Sequence, residues 1–145
     1  MPDPCVFDYA IVRIVPRVEQ EEFINAGVIL FCRERRYLAA RLRLDAARLA
    51  ALAPELDPAA VQVHLDLIPL ICAGGWAAGP LAKLSPVERF RWLTSPRSTV
   101  VQISPVHAGL CADPAATLEE LAQRVLGKGG RVCFISSAWP GPAAS

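Results

Sequence analysis

The chain has 145 residues, of which 53% are hydrophobic, and its formal net charge is +1. A chain of this length fits one domain, whose core needs neither a disulfide nor a metal ion. The near-zero net charge excludes the strong general field that draws basic proteins to nucleic acid or anionic lipid, and we identify no apolar run long enough to predict a membrane span.

The first third of the chain predicts three strands of an antiparallel meander. Residues 6–15 (VFDYAIVRIV) are apolar on both faces and rich in β-branched and aromatic side chains, which is typical of a central strand. After a short acidic connection, residues 28–32 (VILFC) predict a second strand. Residues 37–44 (YLAARLRL) alternate apolar and polar side chains, the period of a strand with one solvated face.

The middle and the end of the chain predict four helices, each with a recognisable start. The predicted helices begin after Asp45, Asp57, Ser85 and Asp113, and they end near Ala53, at Gly74, before Pro96 and at Gly127. Three of the four starts place a proline at the first helical position, where its missing N–H costs nothing. Residues 85–88 (SPVE) have the form of a capping box.

The remaining segments are a strand, a loop and a tail. Residues 98–103 (STVVQI) predict a fourth strand, and the SPVHAGLCA segment after it predicts a loop. Residues 1–126 are expected to form one domain, and residues 127–145 a tail that is either an edge strand or disordered. The predicted fold is α+β, with an antiparallel sheet of about four strands covered by four helices on one face.

Five cysteines, at positions 5, 32, 72, 111 and 133, are widely separated and lie mostly in apolar segments. Their odd number, and the absence of CxxC or Cys/His spacing, predict buried reduced thiols and exclude a disulfide framework or a zinc site. We therefore expect no metal and no cofactor. The amino terminus, MPDPCVFDYA, has two acids and no basic segment, so we expect no secretory signal and a cytoplasmic protein.

Candidate functional residues concentrate between Ser85 and Pro114. The sequence contains no Walker loop, no GxGxxG after a strand, no GxSxG elbow and no HExxH. Charged, polar and aromatic side chains without an activated nucleophile favour a surface that binds another protein. The candidate binding surface consists of Arg89, Arg91, Trp92, Arg97, Ser98, Gln102, Ser104 and His107.

Two alternatives remain open. Arg97 and Ser98, at a helix-to-strand junction, could hold a phosphate with His107 as general acid/base, as in a phosphate- or nucleotide-handling enzyme. The sequence favours structural roles instead, with Arg97 paired to Glu88 or to a helix end. The second alternative is nucleic-acid binding by an arginine-rich hairpin, but a solvated hairpin is favoured because stacking aromatics are few. The hairpin arginines are Arg33, Arg35, Arg36, Arg41 and Arg43.

Two blocks of the sequence resemble a known family. YAIVRIVPRVEQEEFINAGVILFCRERRYL and ERFRWLTSPRSTVVQISPVHAGLCADP are similar to the bacterial domain of unknown function 3037 family, over about Tyr9 to Leu126. The resemblance implies no established activity. It implies a gene setting like that of companions of HipA-like kinases, and hence a role as partner of such a kinase. The matching positions are Arg13, Pro16, Phe23, Asn25, Gly27, Arg89, Phe90, Trp92, Pro96, Arg97, Ser98, Gln102, Ser104, Pro105, His107 and Gly109.

Overall fold

The strands and helices form in the predicted order, with one strand added. A computed structural model describes residues 3–17, 22–95 and 100–127; the predicted tail beyond Gly127 lies outside them. The strands are β1 (Cys5–Arg17), β2 (Glu22–Cys32), β3 (Tyr37–Leu42), β4 (Val101–Ile103) and β5 (His107–Cys111). The helices are α1 (Ala46–Leu52), α2 (Pro58–Ala73), α3 (Pro86–Thr94) and α4 (Pro114–Leu126), and a 3₁₀ helix (Trp76–Lys83) follows α2.

β1 is the centre of a sheet in which every pairing is antiparallel. β2 pairs with β1 along one edge, and β3 pairs with β2. On the other edge of β1, β4 pairs with its C-terminal part and β5 with its N-terminal part. The structure therefore confirms the predicted α+β class, with an N-terminal meander and a later strand added to it.

β5 lies in the segment that the sequence predicts as a loop. Its partners are residues Cys5 to Tyr9 of β1, which extend beyond the reach of β4. Between the pairs Val12–Ile103 and Tyr9–His107, three residues of the outer chain oppose two residues of β1. This one-residue β-bulge separates β4 from β5, and the loop prediction is wrong because the HAGLC segment has few strand-forming side chains of its own.

Helices cover both faces of the sheet, whereas the sequence predicted one. α1, α2 and α3 bury the first core, which includes Val12, Ile14, Phe31, Leu38 and Leu65. α4 covers the opposite face, where its Leu118 packs into the second core with Cys5, Phe7, Val28, Leu30 and Cys32. The central strands are apolar on both faces, so each face needs a covering layer.

The helix starts are as predicted. Asp45, Asp57 and Asp113 accept hydrogen bonds from backbone N–H groups of α1, α2 and α4. At α3, Ser85 and Glu88 form both hydrogen bonds of a capping box. These contacts lie within four residues of each start, so the local sequence specifies them.

One helical stretch, Pro58–Lys83, is long and apolar enough to span a membrane, with a mean hydropathy of 1.4 over its best window. However, 41% of that window is buried inside the fold. Val61, Leu65, Ile68 and Cys72 of α2 belong to the first core. A core helix of a globular domain has the same length and composition, so the stretch is weak evidence for a membrane segment.

Candidate functional site

The three candidate residues on α3 differ in their access to solvent. Arg89 is 1% exposed and lies within the fold near Cys72, and burial lowers the pKa of its guanidinium. Arg91 is exposed in the last turn of α3, and Trp92 is 38% exposed. Only Arg91 and Trp92 are therefore positioned to meet a ligand or a partner.

Trp92 lines an apolar groove between α2, α3 and β4. The rest of this lining is His64, Leu67, Ile68, Ile71, Leu93, Val101 and Ile103, around a cavity of about 130 Å³. A second hollow of about 310 Å³ shares His64 and Val101 and adds Leu56, Asp57, Ala60, Val61 and Val100. Because the two hollows share residues, they form one continuous depression along α2, which we call the α2–β4 groove.

The outward side of α2 adds exposed apolar side chains next to this groove. Val63 is 61% exposed, Leu67 is 49% exposed and Leu70 is 37% exposed. Their spacing of four and three residues places them on one stripe of the helix. An exposed apolar stripe of this kind, continuous with a groove, is typical of a protein-binding surface.

Ser104 has a structural role at the β-bulge. The side chain accepts a hydrogen bond from the backbone N–H of Ile11 at 2.8 Å, and it donates to the carbonyl of Pro105 at 2.9 Å. The Ser104 N–H donates to the Ile11 carbonyl at 2.8 Å. Since Ser104 is 3% exposed and its hydroxyl is used within the fold, it contributes no binding group to the surface.

Gln102 and His107 lie on the face of the sheet opposite the groove. Val101 and Ile103 pack against the first core, so Gln102 between them points away from it. His107 pairs with Tyr9, which packs against the second core, and its ring centroid is 5.3 Å from that of Tyr9. The cross-strand partners of Gln102 and His107 are four residues apart on β1, a separation of about 13 Å, which is too long for a shared hydrogen-bonded ligand atom.

The proposed phosphate clamp, Arg97 and Ser98, lies outside the described residues. His107 is exposed on β5, where its ring contacts that of Tyr9. The enzyme hypothesis therefore remains a sequence-based prediction.

The arginines of the β2–β3 hairpin do not form one surface. Arg35 in the turn donates to the carbonyls of Asp3 at 2.7 Å and Ala112 at 3.0 Å. Arg41 pairs with Glu119 of α4 at 3.0 Å. Arg33 and Arg36 are exposed in the turn. These four hairpin arginines therefore form no continuous cationic stripe of the kind that follows a nucleic-acid backbone.

Four of the five cysteines are buried and free, as predicted: Cys5, Cys32, Cys72 and Cys111. Cys133 lies outside the described residues. The Cys5 and Cys32 sulfur atoms are 3.2 Å apart. Burial raises the pKa of Cys32 to about 11 and that of Cys72 to about 12, so both are protonated thiols at neutral pH and poor nucleophiles.

Within residues 3–17, 22–95 and 100–127, no cluster of three or more His, Cys, Asp or Glu side chains is arranged to hold a metal ion.

The sequence interpretation identified Trp92 but missed most of the groove. The α2 segment VQVHLDLIPLI contains more apolar positions than one buried face uses, and the surplus residues at 63, 67 and 70 are those now found exposed. This surplus was a detectable signal of a second apolar surface on the helix. The contribution of β4 to the groove depends on strand order, so the sequence of β4 itself did not indicate it.

Comparison with known proteins identifies a family and nothing more specific. A family model described as "Protein of unknown function (DUF3037)" matches residues 9–126. No curated protein and no solved structure matches the chain.

Proposed function

The chain belongs to the DUF3037 family of proteins of unknown function, and from that membership we propose that it is a non-catalytic cytoplasmic protein that binds another protein. We further propose that the partner is a HipA-like kinase and that it docks on the α2–β4 groove. The kinase is suggested by the gene setting that the resemblance implies. The groove supplies the physical basis for binding.

The observation that carries the proposal is a partly exposed tryptophan at an apolar groove. Trp92 is 38% exposed, and Leu67 beside it is 49% exposed. Tryptophan is among the side chains that contribute most to protein–protein affinity, because it removes a large apolar area from water at low entropic cost. A partner that inserts an apolar side chain between Trp92 and Leu67 would bury both.

The lining of the groove favours binding over catalysis. Its ionisable side chains are His64 and Asp57. The Asp57 carboxylate accepts from the N–H of Ala59 as the cap of α2, so it is already used in the fold. General acid–base chemistry needs groups within hydrogen-bond reach of the reacting proton, and His64 lies among apolar neighbours.

The test is calorimetric titration of the purified chain with the HipA-like kinase from the same genome. Trp92→Ala should weaken binding by about 30-fold or more, because a tryptophan at the centre of an interface contributes at least about 2 kcal/mol. Trp76→Ala is the matched control: Trp76 is 93% exposed on the 3₁₀ helix and does not line the groove, so its loss should change the dissociation constant less than twofold.

Two results would contradict the proposal in different ways. If the wild-type chain does not bind the kinase, the partner is wrong. If it binds and Trp92→Ala has no effect, the partner stands and the docking surface is elsewhere.

A further inference from the structure

A row of polar side chains crosses the face of the sheet opposite the α2–β4 groove. Asn25 on β2 and Gln102 on β4 are both cross-strand partners of Arg13 on β1. Cross-strand partners project to the same side of a sheet, so the three side chains lie side by side. Gln102 points away from the first core, and this places the whole row on the α4 face.

Arg43 extends this row beyond β3. Its backbone N–H donates to the carbonyl of Ala26 at 2.7 Å, one residue along β2 from Asn25. Leu42 and Leu44 both pack with the first core, so Arg43 between them points to the α4 face. Arg41, two residues earlier, pairs with Glu119 of α4 at 3.0 Å, which confirms that this side of β3 faces α4.

The row contains buried polar atoms without hydrogen-bond partners. Nε of Arg13, Oδ1 of Asn25 and Nη1 of Arg43 are each buried and unbonded among the residues that the structure describes. All three side chains are half-buried, so other atoms of each are open to solvent. In the same described ranges, the acidic partners within 4 Å of arginines belong to Arg17, Arg41 and Arg124.

Among the described residues, neither Arg13 nor Arg43 has an acidic partner within 4 Å, and two half-buried cations in that state are unfavourable. Each guanidinium loses part of its hydration, and the two positive charges repel one another. β1 and β3 are two strand spacings apart, so their backbones are separated by about 10 Å. Two arginine side chains are long enough to contact the same group across that distance. The Cζ atom of Arg13 lies 4.4 Å from the centroid of the Phe23 ring, a cation–π contact that leaves the buried Nε donor of Arg13 unbonded.

We propose that Arg13, Asn25 and Arg43 bind an oxyanion, either a phosphate or a carboxylate group, on the α4 face of the sheet. Guanidinium groups bind both of these bidentately through parallel N–H donors. The Asn25 side chain lies on β2 between the two arginines, and only its Nδ2 group is a donor to the anion. An anion at this point offsets the repulsion between the arginines and accepts hydrogen bonds from Nε of Arg13 and Nη1 of Arg43, two donors that the fold leaves unbonded, whereas Oδ1 of Asn25 is itself an acceptor and does not bond to the anion.

The experiment measures thermal unfolding of the full chain in inorganic phosphate and in malonate, against chloride at the same ionic strength. Binding should raise the unfolding midpoint by about 5 to 10 °C when the anion exceeds its dissociation constant 100-fold. Arg13→Gln and Arg43→Gln should each abolish this rise. Arg33→Gln removes the same charge from an exposed turn and should retain it.

Asn25→Asp provides a test that does not depend on losing an arginine. The new carboxylate occupies the place of the ligand between Arg13 and Arg43. This variant should therefore have a higher midpoint than wild type in chloride, and it should no longer respond to phosphate or malonate.

A rise in phosphate alone or in malonate alone supports the site and identifies the group that it prefers. Equal wild-type midpoints in all three salts overturn the proposal. A full response retained by both arginine variants does so as well, and so does an Asn25→Asp protein that is less stable and still responsive. None of these results depends on the α2–β4 groove, which lies on the other face of the sheet.

Discussion

Gly27 and Gly109 occupy positions where two chain segments approach too closely for a side chain. A Cβ atom on Gly27 would lie 2.5 Å from the carbonyl oxygen of Arg41, and one on Gly109 would lie 2.8 Å from the ring of Phe7. Both contacts are shorter than carbon atoms tolerate, and the first is with backbone, which moves less readily than a side chain. These two glycines therefore belong to the packing of the sheet.

At Arg89 and Ser104, the residue type alone does not predict whether the side chain is exposed. The sequence interpretation placed both on the candidate binding surface, Arg89 as a neighbour of the 97–109 region and Ser104 as a polar residue within it. Both are buried, at 1% and 3% exposure. The sequence carries no local signal for this, since burial of Arg89 depends on the packing of α3 against α2 and burial of Ser104 on its register with Ile11.

The burial of the Cys72 thiol predicts a loss of folding stability at alkaline pH. Burial raises its pKa from 9.0 to about 12, so the folded chain keeps a proton that the unfolded chain releases above pH 9. The stabilisation is complete below pH 9 and is lost as the pH rises from 9 to 12, at up to about 1.4 kcal/mol for each pH unit. Urea unfolding at pH 8 and pH 10 measures the decline.

Cys72→Ala is the control for this decline. It lowers stability at both pH values by leaving a cavity, but the difference between pH 8 and pH 10 should shrink by roughly 1 kcal/mol. An unchanged difference would mean that other groups cause the alkaline loss.

At the scale of elements, helices were predictable and strand pairing was only partly so. The four helix starts depend on a cap and its neighbours within four residues, and all four were placed correctly. β1 and β3 were recognised from their patterns of apolar residues. β5 was missed because the edge of β1 that it fills is about a hundred residues away in sequence.

The bulge between β4 and β5 depends on the hydroxyl of Ser104. Ser104→Ala removes the acceptor for the partly buried N–H of Ile11, and leaving a buried donor unsatisfied costs about 1 to 3 kcal/mol. We expect a loss of that size in chemical denaturation and faster hydrogen exchange at the Ile11 amide. Ser95→Ala, which removes a hydroxyl bonded to the last carbonyls of α3, should cost about 0.5 kcal/mol or less. Equal losses in the two variants would refute the special role of Ser104.

At the scale of the whole molecule, the sheet divides the functional surface in two. The sequence interpretation treated Trp92, Gln102 and His107 as parts of one surface. Trp92 lines the α2–β4 groove, whereas Gln102 and His107 lie on the α4 face of the sheet. The groove and the Arg13–Arg43 row therefore have separate roles in our proposals.

This separation predicts that the two sites act independently. Trp92→Ala should leave the phosphate or malonate response of the unfolding midpoint unchanged, and Arg13→Gln should change kinase affinity less than twofold, because effects at separated sites without shared partners are additive. Calorimetry and thermal unfolding of the same two variants provide the measurement. A Trp92→Ala variant that loses the anion response would show that the faces are coupled through the sheet.

The sequence by itself determined the features whose causes are local or compositional: the α+β class, the order and caps of the helices, the meander, and the burial of four thiols in apolar segments. Tertiary structure alone decided which residues meet. The pairing of β5 with β1, the placement of α4 on the second face, the contribution of β4 to the groove and the alignment of Arg13, Asn25 and Arg43 all depend on strand order and register. Those are set by contacts between distant segments, whose loop-closure entropy and shared burial no single stretch of sequence contains.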